Sequence, residues 1–196
     1  MNTKYPNLKI AIIGSNEDRD YAKIFKNSLR PLVPEVWTYN DILVGDTISK
    51  SIFDQVKSAD VIVILLSTDF FYELYSGEGY NSDLPKLLAD INDQGKILCP
   101  ILLRSCIWDS IELGNFFDEQ AIMPERKALL SLSLEERDEA MTSIIKAIDA
   151  TLYKLSSKLI RIVIPNWIGY IGGVAANNGF SPDLRSNLTA ASTKLV

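Results

Sequence analysis

Two segments of the chain carry side chains capable of ligand chemistry at the ends of apolar runs. Val36–Gly45 reads VWTYNDILVG, and Ala59–Phe71 reads ADVIVILLSTDFF. In a parallel α/β sheet, the loops leaving the carboxyl ends of neighbouring strands converge on one crevice, and such folds hold their ligands there. That geometry would gather Trp37, Tyr39, Asp41, Ser67, Asp69, Phe70 and Phe71, a set suited to a ring-bearing polar ligand such as a nucleotide. Trp37 suits either base stacking or a half-buried place at the end of a short strand. Asp41 suits either a ribose contact or closure of its own loop through backbone hydrogen bonds. Gly14-Ser15, at a strand-to-helix junction, can present amides to a phosphate, with Arg19 close enough to neutralise it. Ser67 either faces the pocket or simply ends its strand.

Composition removes several alternatives. The 196 residues contain no histidine, so Ser-His-Asp and Cys-His catalysis, His metal ligands and His-based pH switching are excluded. Two cysteines, Cys99 and Cys106, suggest neither a disulfide framework nor a zinc site and read as structural thiols. Met1–Asn7 is polar and unlike a signal peptide, so a reducing, cytoplasmic setting is expected. A net charge of −5 and a pI near 4.8 argue against nucleic acid as a partner. The charge is uneven: Lys158, Arg161, Arg185 and Lys194 against Asp183 leave residues 156–196 at +3, hence −8 over residues 1–155.

The elements that would position these groups alternate in type. Leu8–Gly14 (LKIAIIG) predicts a strand buried on both faces. Ser15 with Asp18 resembles a capping box, ahead of a helix with Tyr21, Ile24, Phe25, Leu29 and Leu32 on one stripe, ended by Pro31 and Pro34. Glu35–Tyr39 is a second strand. Asp46 or Thr47 caps a helix bearing Ile48, Ile52, Phe53 and Val56. Asp60–Leu66 is the third strand. Ser76–Ser82 reads as a loop or interruption before a helix carrying Leu84, Leu87, Leu88 and Ile91. Ile97–Leu103 is a fourth strand, with Pro100 speaking against a central position. Ser133–Glu136 is a capping box opening a last helix with Ile144, Ile145, Ile148 and Leu152. The alternation predicts an α/β, flavodoxin-like, doubly wound parallel sheet of about five strands with helices on both faces. The domain spans residues 1–155, and 156–196 form a C-terminal extension.

Three blocks, in order, resemble the Toll/interleukin-1 receptor (TIR) domain in its bacterial form. VWTYNDILVGDTISKSI is similar to that family's second strand, BB loop and following helix, with Trp37, Asp41 and Gly45 in the expected places. SADVIVILLSTDFFYELY is similar to its third strand and serine-ended turn, and ILCPILLRSCIWDSIELG to the block that follows. The resemblance covers residues 8–153. It implies one of two activities: cleavage of NAD at the nicotinamide–ribose bond, often in anti-phage defence or cell-suicide signalling, or assembly with other TIR domains as a non-enzymatic adaptor. NAD would be the substrate, with no further cofactor, giving ADP-ribose or a cyclised relative. Self-association would run through the BB loop, Asn40 to Asp46. A response-regulator receiver fits poorly, because Leu66-Ser67 stands where its phospho-accepting aspartate should end the third strand.

Nicotinamide leaves from a cationic pyridinium, so the reaction needs little acid catalysis and chiefly requires a carboxylate beside the ribose. Active TIR domains supply a glutamate early in the third helix, four or five residues after an aromatic. Here Tyr75 takes the aromatic position, and the glutamate-leucine pair becomes Asp83-Leu84, eight residues on. Glu78 lies three residues after Tyr75. Asp83 and Glu78 are the candidate catalytic carboxylates, and Asp83 equally suits a helix cap. Gly14, Ser15, Arg19, Trp37, Asp41, Gly45, Ser67 and Tyr75 are the candidate substrate-binding residues. The segment Leu159–Ala176 is apolar but interrupted by Arg161, Pro165, Asn166 and three glycines. It falls short of a clean membrane span, so packing on the domain, a further module or an oligomer contact is expected.

Overall fold

The computed structural model describes residues 3–42, 48–76, 86–88, 96–107 and 127–177, side chains excepted at 48–49 and 158–177. The chain divides into two compact units, Met1–Leu152 and Tyr153–Val196.

The first unit is built on strands β1 (Lys9–Ile13), β2 (Glu35–Thr38), β3 (Val61–Leu66) and β4 (Ile97–Leu102), all parallel and ordered β2-β1-β3-β4. This is the flavodoxin-like α/β arrangement, with four strands rather than five among the described residues. β1 pairs Ile10 with Val36 on one side and with Val61 on the other. Every residue of β3 is buried, as its unbroken VIVILL run requires of a strand covered on both faces. β4 carries Pro100, in register with Ile64, and is the outer strand of this sheet among the described residues. A proline without an N–H is tolerated there because its outward side owes no ladder bond.

Among the described residues the strands are accompanied by the α-helices α1 (Arg19–Leu29), α2 (Ile48–Ser58), α3 (Thr68–Ser76) and α4 (Leu134–Asn177). α1 buries Ala22, Phe25 and Leu29 and packs on β1 and β2. Ile24, expected on that stripe, is 47% exposed. At 100° per residue it stands off the line through Ala22, Phe25 and Leu29. α2 and α3 contribute Ile52, Val56, Phe70, Phe71 and Leu74 to a core cluster with Ala11, Ile13, Ile62, Ile64 and Leu98. The alternate strand residues Ile10, Ile12, Val63, Leu65 and Ile101 are buried as well, so apolar cover lies on both faces of the sheet.

Two local expectations are corrected. The turn expected where the third strand ends at Ser67 gives way at once to α3, which already includes Thr68-Asp69, because the Ser67 hydroxyl accepts the Phe70 N–H at 3.1 Å. Ser15 makes no side-chain cap bond to the backbone; its hydroxyl donates to the Asp18 carboxylate instead. The later box does form. Ser133 donates its N–H and hydroxyl to Glu136 Oε2 at 3.0 and 2.7 Å, and Glu136 N–H returns to Ser133 Oγ at 3.3 Å. Within the first unit α4 buries Ala140, Ile144, Ile148 and Leu152 at helical spacing. In the second unit the helix runs to Asn177, with Ser157 bonding back to the Tyr153 carbonyl at 2.8 Å. Among the described residues no helix is long and apolar enough to cross a membrane.

Candidate functional site

The chain leaves β1 hard against β3. A Cβ placed on Gly14 would lie 3.0 Å from Leu65 Cβ, so glycine permits this close approach. A short 3-10 turn, Asn16–Asp18, follows and turns the Asp18 side chain inward to zero exposure. Its carboxylate is well supplied. Oδ2 accepts the hydroxyls of Ser15 and Ser67, each at 2.6 Å, and Oδ1 accepts Arg104 Nε at 2.8 Å. Ser15 follows β1, Ser67 follows β3 and Arg104 follows β4, so one buried anion ties three carboxyl-terminal strand ends together. Such charge-assisted bonds repay the burial of the charge.

Above this hub, at the β1/β3 switch where doubly wound folds bind ligands, lies a cleft of about 400 Å³. It is lined by Asn16, Glu17 and Arg19 after β1, Tyr39 after β2, and Asp69, Tyr72 and Glu73 of α3. The last three stand at i, i+3 and i+4, which puts them on one helical face. The Arg19 guanidinium lies over the Tyr39 ring at 5.0 Å, and Asn40 Nδ2 donates to the Arg19 carbonyl at 3.2 Å. Glu73 Oε1 accepts the Asn16 N–H at 2.9 Å, whereas Oε2 is buried with no hydrogen-bond partner. Burial pushes the Glu73 carboxyl above its usual range. The Asn16 N–H pulls it down, but the Asp18, Asp69 and Glu17 carboxylates add to the upward push. A partly dehydrated carboxylate with a spare acceptor therefore stands in a cleft of mixed charge.

The structure distributes the sequence-predicted residues among several places. Arg19, Tyr39 and Asp69 line the cleft, and Ser15 and Ser67 lie buried beneath it in the Asp18 hub. Phe70 and Phe71, expected in the crevice, are core residues in edge-to-face contact at 5.4 Å. They moved inward because Thr68 and Asp69 are already helical. Trp37 and Asp41 line a separate cleft of about 330 Å³ along β2, with Lys26 and Arg30. Trp37 is half-buried against the core cluster. Asp41 closes its own turn, accepting the Thr38 N–H at 2.7 Å, and pairs with Lys26 of α1. Burial alone would raise its carboxyl, but the Lys26 and Thr38 bonds outweigh that and hold it below its ordinary value. Tyr75 is 49% exposed on α3. Gly45, Glu78 and Asp83 lie outside the described residues, as do residues 43–46 of the expected BB loop. Sequence reasoning missed Glu17, Tyr72 and Glu73 in the cleft and Arg104 in the hub. The i, i+3, i+4 spacing of Asp69, Tyr72 and Glu73 was the available signal, hidden by reading the segment's start as a turn.

No protein-family model matches the sequence. Over 116 residues, 59% of the chain, it is 27% identical to the uncharacterized protein y4lF of Sinorhizobium fredii, and the match covers 33% of that protein. Over 95 residues, 47% of the chain, it is 33% identical to the probable 2′ cyclic ADP-D-ribose synthase TcpO of Methanobrevibacter olleyae, covering 26% of that protein. The matched stretch thus spans a third or less of the length of each relative.

Proposed function

We propose that the chain is a TIR-type NAD glycohydrolase or cyclase, acting in bacterial anti-phage defence or cell-suicide signalling. The observation that carries this reading is the carboxylate-lined cleft at the β1/β3 switch. The similarity to a protein named as a probable cyclic ADP-ribose synthase supports it. In the reaction the bond between ribose C1′ and the pyridinium nitrogen breaks. Its electron pair leaves on nicotinamide, whose ring becomes neutral. Water captures the oxocarbenium-like ribose and releases a proton, or a hydroxyl of the same molecule captures it to give a cyclised product. Fixed negative charge beside the ribose stabilises the cationic transition state, and a dry, preorganised site amplifies that effect. Asp83 and Glu78 remain the proposed catalytic carboxylates, and self-association through Asn40–Asp46 is proposed to assemble the active form.

The experiment is nicotinamide release from NAD by the purified chain across a concentration series, with sizing of each sample. Turnover that rises with assembly is expected. Asp83→Asn, which keeps size and capping ability, should lower the rate on the order of 100-fold, with Glu78→Gln as the matched variant. Loss confined to Glu78→Gln would move the role to that residue. Absence of turnover in every assembled state would leave the scaffold reading, which Tyr72 and Tyr75, 61% and 49% exposed on α3, favour as contact residues.

A further inference from the structure

We propose that the distal part of α4, residues 153–177, is a membrane-surface helix. It would lie in the plane of an anionic lipid bilayer, with its apolar stripe below the headgroups and its cations among them.

The charge of this stretch is of one sign. Between Asp149 and Asp183 the chain has no acidic residue, and its charged side chains there are Lys154, Lys158 and Arg161 alone. They stand at i, i+4 and i+7 of α4, so they share one face of the helix. The extension from residue 156 onward carries +3, in a chain whose first 155 residues carry −8. A compact positive segment on an acidic protein needs its counter-charge from elsewhere.

A second stripe runs along the same stretch. Ile160, Val163, Ile164, Trp167, Ile171 and Val174 fall within about 100° of arc at helical spacing, and the three cations fall outside it. The side across from that stripe holds the cations with Pro165, Gly169 and Gly172, interrupted by Ile162. Tyr153, on the line of the apolar stripe where the second unit begins, is 64% exposed. A helix that combines a basic face with an aromatic and aliphatic one suits a membrane surface.

The bilayer surface fits better than a span or a second copy. Arg161, Pro165 and Asn166 interrupt the apolar run, and among the described residues no helix is long and apolar enough to cross. Lying flat, the stretch extends about 37 Å. Lys and Arg reach phosphate on long apolar stems, and Trp167 and Tyr170 are of the types favoured at the headgroup boundary. Parallel pairing with a second copy would cover the stripe but bring two like-charged sets together with no counter-ion.

The test floats the full chain with vesicles of phosphatidylcholine alone or with about one third phosphatidylglycerol. Binding to the anionic vesicles is expected to be at least about tenfold tighter. The triple variant Lys154→Gln, Lys158→Gln, Arg161→Gln should weaken it on the order of hundredfold, about fivefold per cation. Ile164→Asp with Ile171→Asp should abolish flotation, and the Gln variant carries the test if that one folds poorly. Tryptophan emission should shift to the blue on binding, and Trp167→Phe should remove the shift while flotation persists. Absence of flotation overturns the proposal, as does equal binding to both vesicles or a blue shift that survives Trp167→Phe. Retention on the vesicles after an alkaline carbonate wash would mean a span and overturn it too. If lipid binds nothing while sizing shows an assembly that Ile164→Asp dissolves, the stripe belongs to a second copy.

Discussion

Asp18 and Glu73 both lie at the β1/β3 switch and differ in burial and in the number of donors each receives. Asp18 is wholly buried and has three, two hydroxyls and a guanidinium. Glu73 is half-buried and has one backbone N–H. The first pattern is that of a carboxylate serving the fold: every bond it makes joins strand ends, and nothing is left over for a ligand. The second is a carboxylate the fold supports only in part. Its spare oxygen costs stability. Adjacent anions can thus be assigned different work from their partners alone.

The largest effect is expected from breaking the satisfied member of the pair. Asp18→Asn removes the charge that Arg104, Ser15 and Ser67 all address, and should destabilise the first unit by about 3 kcal/mol. Chemical denaturation of the variant reads this directly. A loss below about 1 kcal/mol would mean that the three donors find water or other partners without cost.

A carboxylate that is satisfied but exposed should matter less. Ser133→Ala deletes the hydroxyl that caps α4 opposite Glu136 and should cost about 1 kcal/mol. Thermal unfolding at neutral pH is the measurement. A loss as large as that of Asp18→Asn would show that burial is not what separates the two.

The smallest effect, and one of opposite sign, is expected at Glu73. Its folded carboxyl lies above the ordinary value, with Glu17 and Asp18 of the 3-10 turn, Asp69 of α3 and Arg19 of α1 as its charged surroundings. Between the unfolded and folded values the folded state holds the proton more firmly. The favourable contribution is therefore complete below the unfolded value and is lost as pH rises through the folded one. Glu73→Gln removes the titration. Its Tm should match the unmodified protein's below the ordinary carboxylate range and exceed it modestly at neutral pH. A variant less stable at neutral pH would mean that the Glu73 charge supports the fold after all.

The thiols offer an independent check on burial. Cys99 in β4 is pushed up to about 12 by burial, whereas Cys106 is only partly covered. Alkylation at pH 8 read by mass spectrometry should modify Cys106 first and Cys99 only on unfolding.

Much of the framework was legible in the chain itself. LKIAIIG and VIVILL are long enough, apolar enough and β-branched enough to be strands buried on both faces, and their alternation with amphipathic segments dictated a parallel sheet. The Ser133–Glu136 box is local chemistry and formed as written. The cleft was less legible because its walls are distant in sequence. Asn16 meets Glu73 across 57 positions, and Arg104 meets Asp18 across 86. Short-range patterns carry no information about such pairs.

Sequence by itself therefore determined the element types, the parallel sheet and the end of it where polar side chains collect, since hydrophobic period and strand length act within a few residues of each position. Only the tertiary structure decided which carboxylate is spent and which is spare. That outcome depends on how closely β1 approaches β3 at Gly14, which sets where the 3-10 turn and the first turns of α3 meet. Partners at that meeting are chosen by distances in space, and Asp18 came away with three while Glu73 kept one.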